Sequence, residues 1–102
     1  MLDRKLASLL SLSRRAGKLI TGESACENAL RDNSAQLVIV CSDASENTKK
    51  KFSQKTFYYK VPFFVLSDME SLNSAMGQSG RATFAICDKG FADTIIKLIE
   101  NL

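Results

Sequence analysis

The chain contains no histidine and no tryptophan, a single proline, and three cysteines of which no two are close together. Each scarcity removes a class of function. Without histidine, Ser–His and Cys–His catalytic pairs cannot be built, nor can zinc sites of mixed Cys and His ligands. Cys26, Cys41 and Cys87 lack the paired spacing of a metal knuckle or a disulfide framework. They stand among apolar neighbours, as in Val38-Ile-Val-Cys41 and Phe84-Ala-Ile-Cys87, where a buried, reduced thiol behaves as a small hydrophobe. The expected setting is a reducing compartment, most simply the cytoplasm. No apolar run approaches the length of a membrane span, so no membrane partner is expected. The N-terminus, Met1-Leu2-Asp3-Arg4-Lys5, runs directly into an amphipathic pattern and lacks the apolar core of a signal peptide.

What is present is ordinary globular composition. Of 102 residues, 45% are hydrophobic and 25% charged, with only five glycines. That excludes disorder and predicts one domain spanning residues 1–102. No internal repeat, linker or low-complexity segment breaks it.

Periodicity gives the element order. Asp3 is an N-cap candidate, and Leu6, Leu9 and Leu10 then recur at helical spacing, so residues 4–15 read as a helix that Gly17 ends. Residues 18–21 read as a short strand. Gly22 opens a second helix through Arg31, with Cys26, Ala29 and Leu30 inward. Residues 36–41 hold the continuous apolar run of a strand covered on both faces. Asp43-Ala-Ser-Glu46 resembles a capping box before a lysine-rich helix at 46–58, whose inward anchors are Phe52 and then Phe57 and Tyr58. A strand at 61–66 has Pro62 near its start, where a missing donor is tolerated. Ser67-Asp-Met-Glu70 reads as a second capping box, followed by Leu72, Ala75 and Met76 and a stop at Gly77. Residues 82–87 form another buried strand. Asp88 caps a last helix with Phe91, Ile95, Leu98, Ile99 and Leu102 on one stripe. Helices alternating with apolar strands predict an α/β fold, a sheet sandwiched between helical layers.

Charge is uneven. Residues 1–60 hold eleven basic and six acidic groups, and residues 61–102 hold three and five. One basic cluster is Arg14, Arg15 and Lys18; the other is Lys49, Lys50, Lys51 and Lys55, with Lys60 just beyond. Such asymmetry marks a candidate polyanion-binding face. Arg14-Arg15-Ala-Gly-Lys18 leads to Gly22 at a helix start, where backbone N–H groups form an anion site and glycine lets a ligand approach closely. Nucleotide-cofactor loops are missing: there is no Gly-x-Gly-x-x-Gly after a strand and no Walker loop. Asp43, Glu46, Asp68 and Glu70 stand at helix starts, where capping explains them better than acid–base catalysis. No cofactor, metal or catalytic residue is expected. A thiol enzyme using Cys41 beside Asp43 lacks a cationic neighbour to activate the sulfur.

Six segments carry a family resemblance: Arg15-Ala-Gly-Lys-Leu-Ile-Thr-Gly22, Gln36-Leu-Val-Ile-Val-Cys-Ser-Asp-Ala-Ser45, Asn47-Thr-Lys-Lys50, Tyr58-Tyr-Lys-Val-Pro62, Leu72-Asn-Ser-Ala-Met-Gly77 and Asp88-Lys-Gly-Phe-Ala92. In this order they resemble the small ribosomal proteins that bind kink-turn RNA, of the L-seven-Ae and L-thirty-e type, and within them a bacterial YlxQ-like branch. The likeness spans almost the whole chain. It implies a three-layer αβα sandwich with a four-stranded mixed sheet, and a non-enzymatic RNA-binding role in ribosome assembly or translation. The implied partner is structured RNA, kink-turn or ribosomal, and no DNA. The implied face comprises the start of helix two, the loop after Cys41 and the loop after Gly77. On it fall Gly22, Glu23, Ser24 and Asn28, then Asp43, Ala44 and Lys49, then Gln78 and Arg81, with Arg14, Arg15 and Lys18 for the RNA backbone. The sequence departs from the family pattern where Ala25 stands in a polar pair and Asn28 at a lysine position. The alternative is a protein-interaction module that kept the fold and lost kink-turn recognition.

Overall fold

A computed structural model describes residues 2–102; Met1, where the N-terminal reading begins, lies outside the described residues. The elements are α1 (Arg4–Arg15), β1 (Leu19–Thr21), α2 (Glu23–Arg31), β2 (Leu37–Val40), α3 (Glu46–Tyr59), β3 (Phe63–Val65), α4 (Met69–Ala75), β4 (Thr83–Ile86) and α5 (Lys89–Glu100). The strands lie in the order β1-β4-β2-β3. β4 runs antiparallel to both β1 and β2, and β3 runs parallel to β2, so the four-stranded sheet is mixed. Every residue of β2 and β4 is buried, which requires cover on both faces. One layer is α2 with α3; the other is α1 with α4 and α5. The αβα sandwich is therefore as expected.

Local chemistry sets the helix starts. Asp3 accepts from the Leu6 amide at 3.2 Å, and Leu6, Leu10 and Ser13 turn α1's apolar stripe inward. Both predicted capping boxes move. The cap of α3 is Ser45, which accepts from the Thr48 amide at 3.1 Å, not Asp43. The cap of α4 is Asp68, which accepts from the Ser71 amide at 3.0 Å, not Ser67. In each case the cap is the residue immediately before the first helical residue, three before the amide it accepts from, and α3 starts at Glu46 as its expected range has it. Asp43 instead reaches the Met69 amide of α4 at 2.9 Å. Its carboxylate links the loop after β2 to the start of α4.

Other differences concern ends and faces. The strands are one to three residues shorter than the apolar runs. Phe57 and Tyr58 are exposed; Phe52 and Thr56 are the buried positions of α3. Helical spacing explains this, since Thr56 is four residues from Phe52 and Phe57 is five. Leu102 lies beyond α5 and is exposed. Cys26 and Cys41 are buried and free, whereas Cys87 is only half-buried. Among the described residues, no helix is long and apolar enough to cross a membrane.

Candidate nucleic-acid interface

The cleft at the start of α2 is built from three chain segments. Gly22 ends β1, its amide donating to the Thr83 carbonyl at 2.9 Å, and caps α2 at φ 98° and ψ 153°. That backbone region is reserved for glycine. No side chain caps α2, so its first amides face outward. Arg81 comes from the loop after α4. Its Nη1 lies 3.2 Å from where a Cβ on Gly22 would stand. Glu23, Ser24, Ala25, Thr48, Gly80 and Thr83 complete an open cleft of about 520 Å³. Thr83 is fully buried, and its Oγ1 has no hydrogen-bond partner among the described residues. An unmet hydroxyl beside exposed amides and a guanidinium is chemistry suited to a polar, anionic ligand. Volume does not single this cleft out. A groove of about 780 Å³ beside the start of α1 is larger, but its walls include Leu2, Leu66 and Leu102.

A residue that sequence reasoning missed holds Arg81 in place. Asn73 is buried, and its Oδ1 accepts from the Arg81 amide at 3.0 Å. Its Nδ2 donates to the Arg81 carbonyl at 2.8 Å and to the Met69 carbonyl at 2.7 Å. Cys41 Sγ adds a weak contact to the same Arg81 carbonyl at 3.6 Å. The signal was present in the sequence: Met69, Leu72, Asn73 and Met76 follow i, i+3, i+4, i+7, so the asparagine sits on the inward stripe. A polar side chain there must find partners inside. Thr83, also missed, carries the same signal as a polar residue in a buried strand, whereas Thr48 carries none.

Acidic residues near the cleft are engaged. Glu23 Oε1 accepts from Thr48 Oγ1 at 3.0 Å. Glu27 binds Lys51 at 2.6 Å and Lys55 at 3.8 Å. The hydrogen bond from Lys51, more than its charge and that of Lys55, holds the Glu27 carboxyl below the usual carboxylate range. Lys49 pairs with Glu46 at 3.3 Å. Asn28 Oδ1 accepts from Arg31 at 2.9 Å on the exposed side of α2.

The structure joins some expected site residues and separates others. Gly22, Glu23, Ser24 and Arg81 share the cleft. Gln78 lines a shallower hollow beside Asn73 and Gly80. Ala44 is buried in the core and offers no surface. Lys18 does not sit beside Gly22. Its carbonyl accepts from Cys87, at the far end of β4 from Thr83, so about four strand residues, roughly 13 Å, separate them. Arg14 and Arg15 lie next to Lys18 in the chain. The Arg14 guanidinium packs on Gly77, its Cζ 3.2 Å from that residue's would-be Cβ, and Arg15 lines a groove along α1.

Among the described residues, no group of His, Cys, Asp or Glu is placed to hold a metal ion. Burial pushes the Cys41 thiol up to about 12, and Asp43 and Asp68 add to that. A thiol kept protonated is not a nucleophile.

Known proteins match this chain over almost its full length. A protein of Enterococcus faecium named RNA-binding protein YlxQ is 44% identical over 98 residues, covering 96% of this chain and 94% of its own. Its namesake in Bacillus subtilis strain 168 is 38% identical over 92 residues, covering 90% and 92%. A solved structure from Bacillus halodurans, of a protein with unknown function, superposes with a TM-score of 0.93 at 36% identity, covering 96% of this chain and 99% of that one. The Giardia lamblia 15.5kD RNA binding protein shares the fold, with a TM-score of 0.79 at 16% identity, covering 99% and 92%. Residues 4–96 match the family model itself, and with relatives this similar over nine-tenths of the chain it belongs, as a YlxQ-like member, to the Ribosomal protein L7Ae/L30e/S12e/Gadd45 family.

Proposed function

We propose that the chain is a single non-enzymatic RNA-binding domain that seats a phosphate and an adjoining base of structured RNA in the cleft at the start of α2. The observation that carries this is the union of Gly22, Arg81 and Thr83: uncapped helix amides and a guanidinium share one cleft, with a buried, unmet hydroxyl in its lining. Two relatives named RNA-binding protein YlxQ support the partner class. Glu27 does not oppose it, because Lys51 and Lys55 pair with its carboxylate, whereas Glu23 keeps its negative charge at the cleft and accepts only from the Thr48 hydroxyl. Ser24 at the rim offers a hydroxyl to a base edge, and Ala25 beside it presents only a methyl group. The expected RNA is of the kink-turn type, and the expected setting is ribosome assembly or translation.

The test is to titrate a kink-turn RNA and an unkinked duplex of equal length at two salt concentrations. Tighter binding of the kinked RNA is expected, weakening steeply with salt. Arg81→Ala is expected to cut that preference by about tenfold, as loss of one good base or phosphate contact does. No measurable affinity for either RNA at low salt would overturn the proposal.

A further inference from the structure

Helix α1 carries Arg4, Lys5, Arg14 and Arg15 and no acidic residue. Among the described residues none of these four enters an ion pair. At 100° per residue, Arg4, Ser8, Ser11 and Arg15 fall within about 60° of arc, one stripe roughly 16 Å long. The stripe lines an open groove of about 450 Å³, shared with Ala7, Leu12 and Ala75 of α4. Arg14 flanks it, packed on Gly77 where the loop to Arg81 begins. Arginines at both ends and hydroxyls between suit a row of phosphates, since guanidinium binds phosphate through two parallel bonds. Small residues on the walls let a backbone come close. A lipid surface does not fit, because the apolar face that would insert holds Leu6 and Leu10 in the core.

We infer that the outer face of α1 is a second RNA-backbone surface, separate from the cleft, which holds a regular duplex that continues from the structured element. The choice of RNA over another polyanion rests on the proposed function above. Because the cleft and the stripe share no residue, they can be removed one at a time.

The experiment measures binding of the full chain to a plain RNA duplex and to a kink-turn RNA with short stems. The variants are Arg4→Ala with Arg15→Ala, and Arg81→Ala alone. Both sites are on the surface, and an unchanged thermal midpoint confirms folding. The double variant is expected to weaken duplex binding about tenfold and to lower the log–log salt slope by roughly 1.5, for two lost phosphate contacts. Arg81→Ala is expected to leave the plain duplex unaffected. Unchanged affinity and slope in the double variant would overturn the inference. So would tighter binding of poly-glutamate than of an RNA of equal charge, which assigns the face to an acidic protein. If α1 alone governs both RNAs and Arg81→Ala changes neither, the cleft proposal falls and this one stands. If the wild-type chain binds neither RNA, both fall.

Discussion

Helices α1 and α3 carry four cations each and lie in opposite layers of the sandwich. Their local surroundings make them different surfaces. On α3, Lys49 pairs with Glu46, and Lys51 and Lys55 close on Glu27 from α2. Lys51 and Lys55 bind α3 to α2, while the Lys49 pair stays within α3. On α1 there is no acid within the helix and no ion pair among the described residues, so its charge faces solvent. The lesson is that a basic run measures charge, whereas a binding face needs charge left over after the fold has used its share. Surface pairs of the α3 kind add little stability, about 0–1 kcal/mol each, but they remove much of the field a polyanion would feel.

The most direct way to break the contrast is to give α1 the partners α3 has. Ser8→Glu and Ser11→Glu place a carboxylate four residues from Arg4 and four from Arg15, within pairing distance on a helix. The expected result is a loss of RNA affinity of about ten- to a hundredfold, with a salt slope lower by roughly 1.5. Stability should stay within about 0.5 kcal/mol, as for most surface changes. Anisotropy titration and chemical denaturation read the two quantities. Unchanged affinity would show that α1's charge is not used.

Gly22→Ala sharpens the contrast by damaging the cleft while leaving both helices intact. The φ of 98° with ψ of 153° is closed to alanine, and the new Cβ would meet Arg81 Nη1 at 3.2 Å. The strain should cost about 1–3 kcal/mol of stability, read by denaturant midpoint. Arg81 can swing away, so most of the cost is backbone strain. Preference for kinked over plain RNA should fall, while binding of the plain duplex holds. A parallel loss on both RNAs would mean that cleft and α1 act as one surface.

Much of this was legible in the sequence because it depends on short-range rules. The buried runs at Leu37–Val40 and Thr83–Ile86, the glycine at the α2 start and the cap at Asp3 each follow from a few neighbouring residues. The family resemblance points to Gly22, the loop after Gly77 offers Arg81 as its polar residue, and the two meet. What the sequence hid was pairing across the fold. Nothing near Lys51 reveals that Glu27, 24 positions earlier, will take its charge. Nothing near Lys18 shows that β1 carries it away from Gly22 rather than toward it, because a strand separates its own ends. Asp43 reads as a local cap in the sequence and instead reaches an amide 26 positions on. Asn73 was an intermediate case. Its place on an apolar stripe announced a buried polar group, but not that its partner would be Arg81.

The smallest expected effect tests the α3 side. Glu27→Gln removes the carboxylate that Lys51 and Lys55 share, which turns α3 toward the state of α1. RNA affinity should rise by about two- to fivefold and the salt slope by roughly 1, as up to two cations become available. The stability lost should be under about 1 kcal/mol, because the pairs are partly exposed. Acid offers the same release without mutation, and its sign follows from the shift. The Glu27 carboxyl is held below its ordinary value, so its contribution is present above the unfolded carboxylate range, near about 4.3. It disappears only as pH falls through the lower folded value. Between pH 8 and 5 the wild-type chain should therefore show no gain in RNA binding from this source, and Glu27→Gln should keep its small advantage throughout. If the advantage vanished at pH 5, the lysines would already be free there. The pairing on α3 would then be too weak to explain why Lys51 and Lys55 differ from the cations of α1.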